Sequence, residues 1–86
     1  MRHFTVPDFW EAYDALPSAI QRLADKNYEL LKANPRHPSL HFKRVKRYWS
    51  VRVNQEYRAM GVPDGEDVVW FWIGPHDEYD EIIKRS

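Results

Sequence analysis

Two arginines, Arg52 and Arg58, stand in the stretch YWSVRVNQEYRAMGV, residues 48–62. The stretch reads as two strands around a tight turn, with one arginine in each arm. A guanidinium is always charged, and its planar fork matches a phosphate. The pair is therefore either solvated decoration or a phosphate site. In strand 48–54, alternation puts Trp49, Val51 and Val53 on one face and Ser50, Arg52 and Asn54 on the other. Arg58 falls with Met60 and Val62, an apolar setting in which an unpaired charge is costly. Arg58 thus calls for a carboxylate partner, from Glu56 or a C-terminal acid, or for a function. Downstream, His76 and Tyr79 are three residues apart and share a face if the segment is helical. Histidine can take or give a proton near neutrality. Tyrosine is a weaker acid that can also stack on a base. The structural alternatives are a helix-start role for His76 and a docking role for Tyr79 with Ile82 and Ile83.

Charge is unevenly spread around these residues. The chain of 86 residues holds 13 basic and 13 acidic side chains. From Arg36 to Arg58 there are seven basic residues (Arg36, Lys43, Arg44, Lys46, Arg47, Arg52 and Arg58) against one acid, Glu56. Residues 59–86 carry seven acids against Lys84 and Arg85. Such asymmetry suggests an interaction surface, or else a solvated surface of mixed charge. A zero total argues against a dedicated nucleic-acid binder, while the basic segment argues for one.

The same composition excludes several chemistries. There is no cysteine, hence no disulfide framework and no cysteine zinc site. His37 and His41 are four apart, but Pro38 between them prevents a helix from aligning them as metal ligands. No metal site is expected, and no cofactor. There are three glycines in all, and no phosphate-binding glycine loop, nucleophile motif or dinucleotide fingerprint. No apolar run approaches the roughly 20 residues that span a bilayer, and the opening MRHFTVPDFW has no signal-like apolar stretch. A soluble cytoplasmic protein of one domain, residues 1–86, is the expectation.

The elements that must hold the arginines follow from periodicity. Pro7 and Pro17 each precede a helical pattern. The first helix spans roughly 7–15, with Thr5 as cap and Phe9, Trp10 and Tyr13 facing inward. The second spans about 17–33, with Ile20, Leu23, Ala24, Leu30 and Leu31 as its apolar stripe. Asn34-Pro35 ends it. These two form a helical hairpin; a short strand at 3–6 is a weaker signal. After residue 38 the period becomes two, giving strands at 40–45, 48–54, 57–62 and 68–73. Short links make them an antiparallel meander. The last strand, VVWFWI, does not alternate, as expected for a strand buried on both faces. Residues 76–84 form a short C-terminal helix.

The order helical hairpin, strands, then an apolar strand and WIGPHDEYD resembles the RelE/ParE superfamily of type II toxin–antitoxin toxins. NPRHPSLHFKRV, SVRVNQEYRA and VVWFWIGPHDEYD carry the resemblance, which covers nearly the whole chain. It implies an α+β fold: an N-terminal helical hairpin on a four-stranded antiparallel sheet, with a short C-terminal helix. It also implies a partner antitoxin that wraps the toxin. Many members bind the ribosome and cut mRNA, whereas the ParE branch poisons DNA gyrase. Arg58 matches the arginine common in ribonuclease members. His76 and Tyr79 match positions just after the last strand that supply a histidine, arginine or tyrosine. The resemblance thus casts Arg58, His76 and Tyr79 as catalytic, and Lys43, Arg44, Lys46, Arg47 and Arg52 as RNA-binding. Ile82 stands where one branch has a terminal tyrosine. The alternative is a non-catalytic gyrase inhibitor or a relative that binds only its antitoxin. Trp70 and Trp72, on the sheet face away from the hairpin, are the expected antitoxin anchors.

Overall fold

A computed structural model describes all residues, 1–86. The chain runs β1 (His3–Thr5), α1 (Pro7–Asp14), α2 (Ser18–Ala33), a single 3-10 turn (Pro38–Leu40), β2 (Lys43–Val45), β3 (Tyr48–Arg52), β4 (Tyr57–Asp64), β5 (Asp67–Pro75) and α3 (His76–Lys84). The five strands form one sheet in the order β1-β5-β4-β3-β2. Strands β2 to β5 are the expected antiparallel meander. The α+β class holds, but the sheet has five strands rather than four and is mixed. A strand, not the hairpin, opens the fold, and β1 pairs with β5 in parallel. Its three residues are too few for alternation to register in the sequence. Backbone bonds pin it: Val68 N–H donates to the Arg2 carbonyl at 3.0 Å and Val6 N–H to the Trp70 carbonyl at 3.2 Å. Asp67 adds a side-chain lock, accepting from the Arg2 N–H at 2.8 Å and pairing with its guanidinium at 3.2 Å.

Local chemistry explains the other boundary shifts. Thr5 does not cap α1; the cap position is Val6, and the Thr5 hydroxyl instead accepts from the Trp10 indole at 3.0 Å. The strand expected from residue 40 starts at Lys43. His37 Nδ1 accepts from the Ser39 N–H and winds Pro38–Leu40 into the 3-10 turn, closed by His41 at φ 45. β3 ends at Arg52 because the Asn54 side chain takes over the backbone there. Its Oδ1 accepts from the N–H groups of Glu56 and Tyr57, both at 2.9 Å.

The irregular apolar run of β5 has a specific cause. Met60 pairs with Trp72, but the next residue of β4, Gly61, pairs with Trp70. Phe71 is the extra residue of a β-bulge. Val68 and Trp70 lie on one face, and beyond the bulge Ile73 returns to it, joining Leu16, Leu31, Leu40, Val51, Val53 and Ala59 in the main core. Phe9, Ile20 and Leu23 of the hairpin pack on this cluster as expected. Trp10 does not; it is 47% exposed. Phe71 turns away towards Tyr48, with ring centroids 5.7 Å apart. Trp72 faces α3 with Met60 and Ser50, both buried, so the polar face expected around Ser50 is a second small core closed by Tyr79.

Trp70 is 4% exposed, and its indole donates to His3 Nδ1 at 3.1 Å. This corrects the expectation that it lies on the face away from the hairpin: the bulge places it in the hairpin's core. Its bond requires a neutral imidazole on His3. Burial lowers the His3 pKa below its ordinary 6.5, so the neutral ring is the folded form. The associated stability is present above about pH 6.5 and is lost as pH falls through the lower folded value.

Two outcomes follow for the fold. Leu31, 2% exposed, is the deepest hairpin contact, and Leu31→Ala should cost roughly 2–5 kcal/mol, a large part of a small domain's stability. Chemical denaturation measures it; a loss well under 1 kcal/mol would refute the packing. Between about pH 8 and about pH 5, the wild type should lose more Tm than His3→Gln, which retains an acceptor for Trp70 but does not titrate. Parallel Tm curves for the two would refute the role of His3.

Candidate functional site

β-sheet register brings the two arginines together. Arg52 on β3 lies directly opposite Arg58 on β4, and Arg58 lies opposite Gly74 on β5. Cross-strand partners share a face, so the three positions form a row across the sheet. The row ends where β5 passes into α3 at His76. Like charges placed opposite one another are destabilising unless something neutralises them.

Nothing in the chain does so fully. Arg58 is half-buried, and its Nη1 donates to the carbonyl oxygens of Asn54 and, at 3.0 Å, Tyr57. Neither arginine makes an ion pair; the carboxylate bridge considered for Arg58 does not form. Burial lowers the Arg58 pKa and the Arg52 charge lowers it further, while Tyr79 and Asp80 act in the opposite direction. Arg52 and Arg58 thus face each other in register without an ion pair, and a notch of about 400 Å³ at the start of α3 is lined by Gln55, Glu56, Tyr57, Pro75, His76 and Asp77.

α3 starts at this notch because Gly74-Pro75 ends the strand and Pro75 cannot extend the ladder. The His76 N–H donates to the Glu56 carbonyl at 2.6 Å, tying the helix start to the loop before Arg58. The His76 ring is partly exposed, and its Nδ1 lies 3.1 Å from an Asp80 carboxylate oxygen, one helical turn on. Nε2 is then the nitrogen left for other chemistry. Tyr79 is buried beneath α3, with its ring 6.0 Å from that of His76. Its docking role is thus met by the structure. Gly74 leaves room for the Trp72 indole: a Cβ there would come within 2.6 Å of that ring. A side chain at 74 would push Trp72 off the sheet next to Arg58.

The basic cluster is not one patch. Lys43 lies opposite Ser50 and shares the face of the arginine row, whereas Arg44 lies opposite Trp49 on the other face. The Arg44 guanidinium sits 5.4 Å from the Trp49 ring centre, and that of Arg47 sits 5.4 Å from Tyr48. Lys46 is engaged elsewhere. Its ammonium donates to the Ile83 carbonyl at 2.8 Å, capping the end of α3. It does so from a turn position at φ 55, where a side chain costs about 1–2 kcal/mol. Alternation over 43–47 would have revealed the split between faces; the Lys46 contact spans 37 residues and leaves no local signal.

Sequence reasoning missed two residues of the site. Asp80 stands four after His76, a helical spacing that signals the pair. Asn54 shapes the loop whose carbonyl holds Arg58, and Asn before Gln55-Glu56 is a turn signal. No three His, Cys, Asp or Glu side chains converge to hold a metal.

Comparisons with known proteins bear on this arrangement. The ParE-like toxin domain family matches residues 18–81. The chain is similar in fold to RelE in the RelB–RelE antitoxin–toxin complex from Methanococcus jannaschii, with a TM-score of 0.71, 13% identity and coverage of 92% of this chain and 96% of that one. A YoeB/ParE toxin from Agrobacterium tumefaciens gives 0.65 at 16% identity, covering 88% and 99%. The isolated Escherichia coli RelE toxin gives 0.60 at 16% identity, covering 98% and 96%. No curated protein matches the chain by sequence. With the family matched over residues 18–81, the chain belongs to the ParE-like toxin domain family, within the RelE/ParE superfamily of toxins.

Proposed function

We propose that this chain is the toxin of a type II toxin–antitoxin system and acts in the cytoplasm as a metal-independent endoribonuclease on ribosome-bound mRNA. The observation that supports this most is the Arg52–Arg58 row: two guanidiniums with no carboxylate partner beside a histidine already oriented by an acid. A scissile phosphate would supply the missing negative charge. In the reaction, the RNA 2′-oxygen attacks phosphorus and its proton is removed. The bond to the 5′-oxygen breaks, and that oxygen receives a proton. The products are a 2′,3′-cyclic phosphate and a free 5′-hydroxyl. Arg58, with Arg52, would steady the charge on the phosphoryl oxygens. His76, with Nδ1–H donating to Asp80, would offer Nε2 for proton transfer. Tyr79 would set the position of His76 from beneath. Lys43, Arg44 and Arg47 would contribute diffuse attraction to RNA backbone, and Lys46 would act through the end of α3.

An antitoxin is the partner this reading requires. Trp72, half-buried on the α3 face, remains a candidate anchor for it, whereas Trp70 is enclosed in the core.

A second reading has its own support. The matched family is ParE-like, and the chain carries no net charge, which favours gyrase inhibition without catalysis.

Translation of a defined mRNA with the purified protein, mapped by primer extension, separates the two. Wild type should cut at the A-site codon. Arg58→Ala and His76→Ala should remain folded and bind ribosomes, yet each should cleave roughly a hundredfold more slowly or worse. Equal cleavage by wild type and the double variant would end the proposal, and intact mRNA with trapped gyrase–DNA complexes would establish the second reading. Lys43→Ala should weaken ribosome binding modestly and lower its salt dependence by about one charge. An unchanged salt slope would remove Lys43 from the interface.

A further inference from the structure

The two halves of the site stand on different supports. The Arg52–Arg58 row is built on β3 and β4, paired within the sheet. His76 is the first residue of α3, so its place relative to the row depends on how that helix is seated. Little fixes α3 from the side, since Tyr79 is its only buried residue. At one end the His76 N–H donates to the Glu56 carbonyl at 2.6 Å. At the other, Lys46 reaches across from the turn between β2 and β3. Its ammonium donates to the Ile83 carbonyl at 2.8 Å and to the Ser86 carbonyl at 3.3 Å. Tyr79 lies three residues from His76 and four from Ile83. At about 1.5 Å of rise per residue, the two arms are roughly 4.5 and 6 Å long. A helix rocking on Tyr79 therefore moves both its ends by similar amounts in opposite directions.

Lys46 makes this contact from a strained position. Its φ of 55 lies in the left-handed region, which glycine enters freely and a long side chain does not. Lys46-Arg47 is a two-residue link between the paired Val45 and Tyr48, the kind of turn that glycine or asparagine suits. A lysine stands there instead. Backbone held in a disfavoured region marks a residue kept for its side chain, and here that side chain is spent on the last carbonyls of a helix, where a cation is favourable.

We propose that Lys46 is a positioning residue for the proposed cleavage. By clamping the end of α3 it keeps the His76 ring in place against the Arg52–Arg58 row, and it does not contact RNA. The inference rests on the cleavage reading of the site and deepens it.

The test joins ribosome-dependent cleavage of a defined mRNA to NMR of the free chain. Lys46→Gly removes the ammonium and suits the turn. Lys46→Met removes the ammonium and keeps a long side chain. Lys46→Arg keeps a cation within reach of the Ile83 carbonyl. The glycine and methionine variants should each lower kcat about tenfold and leave KM and its salt dependence unchanged, because misplacing a reacting group costs rate rather than binding. The arginine variant should recover most of the lost rate. In the free chain, the glycine and methionine variants should shift the His76 ring C–H signals and speed exchange of the His76 amide; the arginine variant should not. Lys46→Gly should keep the wild-type Tm, since relief of the turn offsets the lost contact, which separates positioning from folding. A raised KM and a shallower salt slope at unchanged kcat would make Lys46 an RNA contact and overturn the inference. So would rate losses that follow Tm across the variants, failure of arginine to rescue, or His76 signals identical in all of them. If the wild type cuts nothing, the cleavage reading fails on its own account. The His76 signals then decide the clamp: a shift with glycine and methionine upholds it, and no shift overturns it.

Discussion

One irregularity in β5 organises both faces of the sheet. In a regular strand Trp70 and Trp72 would point the same way, because side chains repeat every two residues. The extra residue at Phe71 separates them. Trp70 enters the core under the hairpin, and Trp72 enters the small core under α3. Without that shift, one indole would be misplaced and Ile73 would leave the main core. Gly61, where the register changes, leaves no room for a side chain: a Cβ would meet Val68 at 2.6 Å. The bulge therefore sets which side chains a nine-residue strand presents to each layer. It lies next to the site, as bulges often do.

The charged row shows the opposite economy. A folded chain normally neutralises a half-buried guanidinium, since desolvation disfavours the charge. Here Arg58 gains two carbonyl dipoles and a like-charged neighbour. Asp80, whose charge acts on Arg58, is held by His76 instead. An arrangement that raises the energy of the free protein and would be relieved by an anion is the physical signature of a binding site. The acids of this neutral chain are engaged or displaced rather than absent: Asp80 is held by His76, and Asp8, Glu11 and Asp14 lie on α1.

Much of this is legible in the sequence. Period-two runs and one continuous apolar run located four strands, and proline and apolar spacing located three helices, because those signals are local. The pairing of Arg52 with Arg58 could be suspected from the tight turn between them. Three things were hard to read. The short strand at 3–6 gave only a weak signal, because β1 is three residues long and its identity as a strand rests on parallel pairing with a segment 65 residues away. The bulge makes VVWFWI look featureless, so the facing of Trp70 could not be assigned by alternation. Lys46 looked like one more surface cation, although its contact is with the far end of the chain.

The central claim is that Arg58 and Arg52 form an anion site for an RNA phosphate. The most direct measurement is an NMR titration of the arginine side-chain N–H signals with a short RNA carrying 2′-O-methyl groups, which binds but cannot be cut. If the row is the site, the Arg58 and Arg52 Nε–Hε signals shift together and saturate at the lowest RNA concentration, ahead of the arginines on β2 and its turn. If those two signals stay fixed while Arg44 and Arg47 shift, the row is a structural pair and the RNA-directed reading fails.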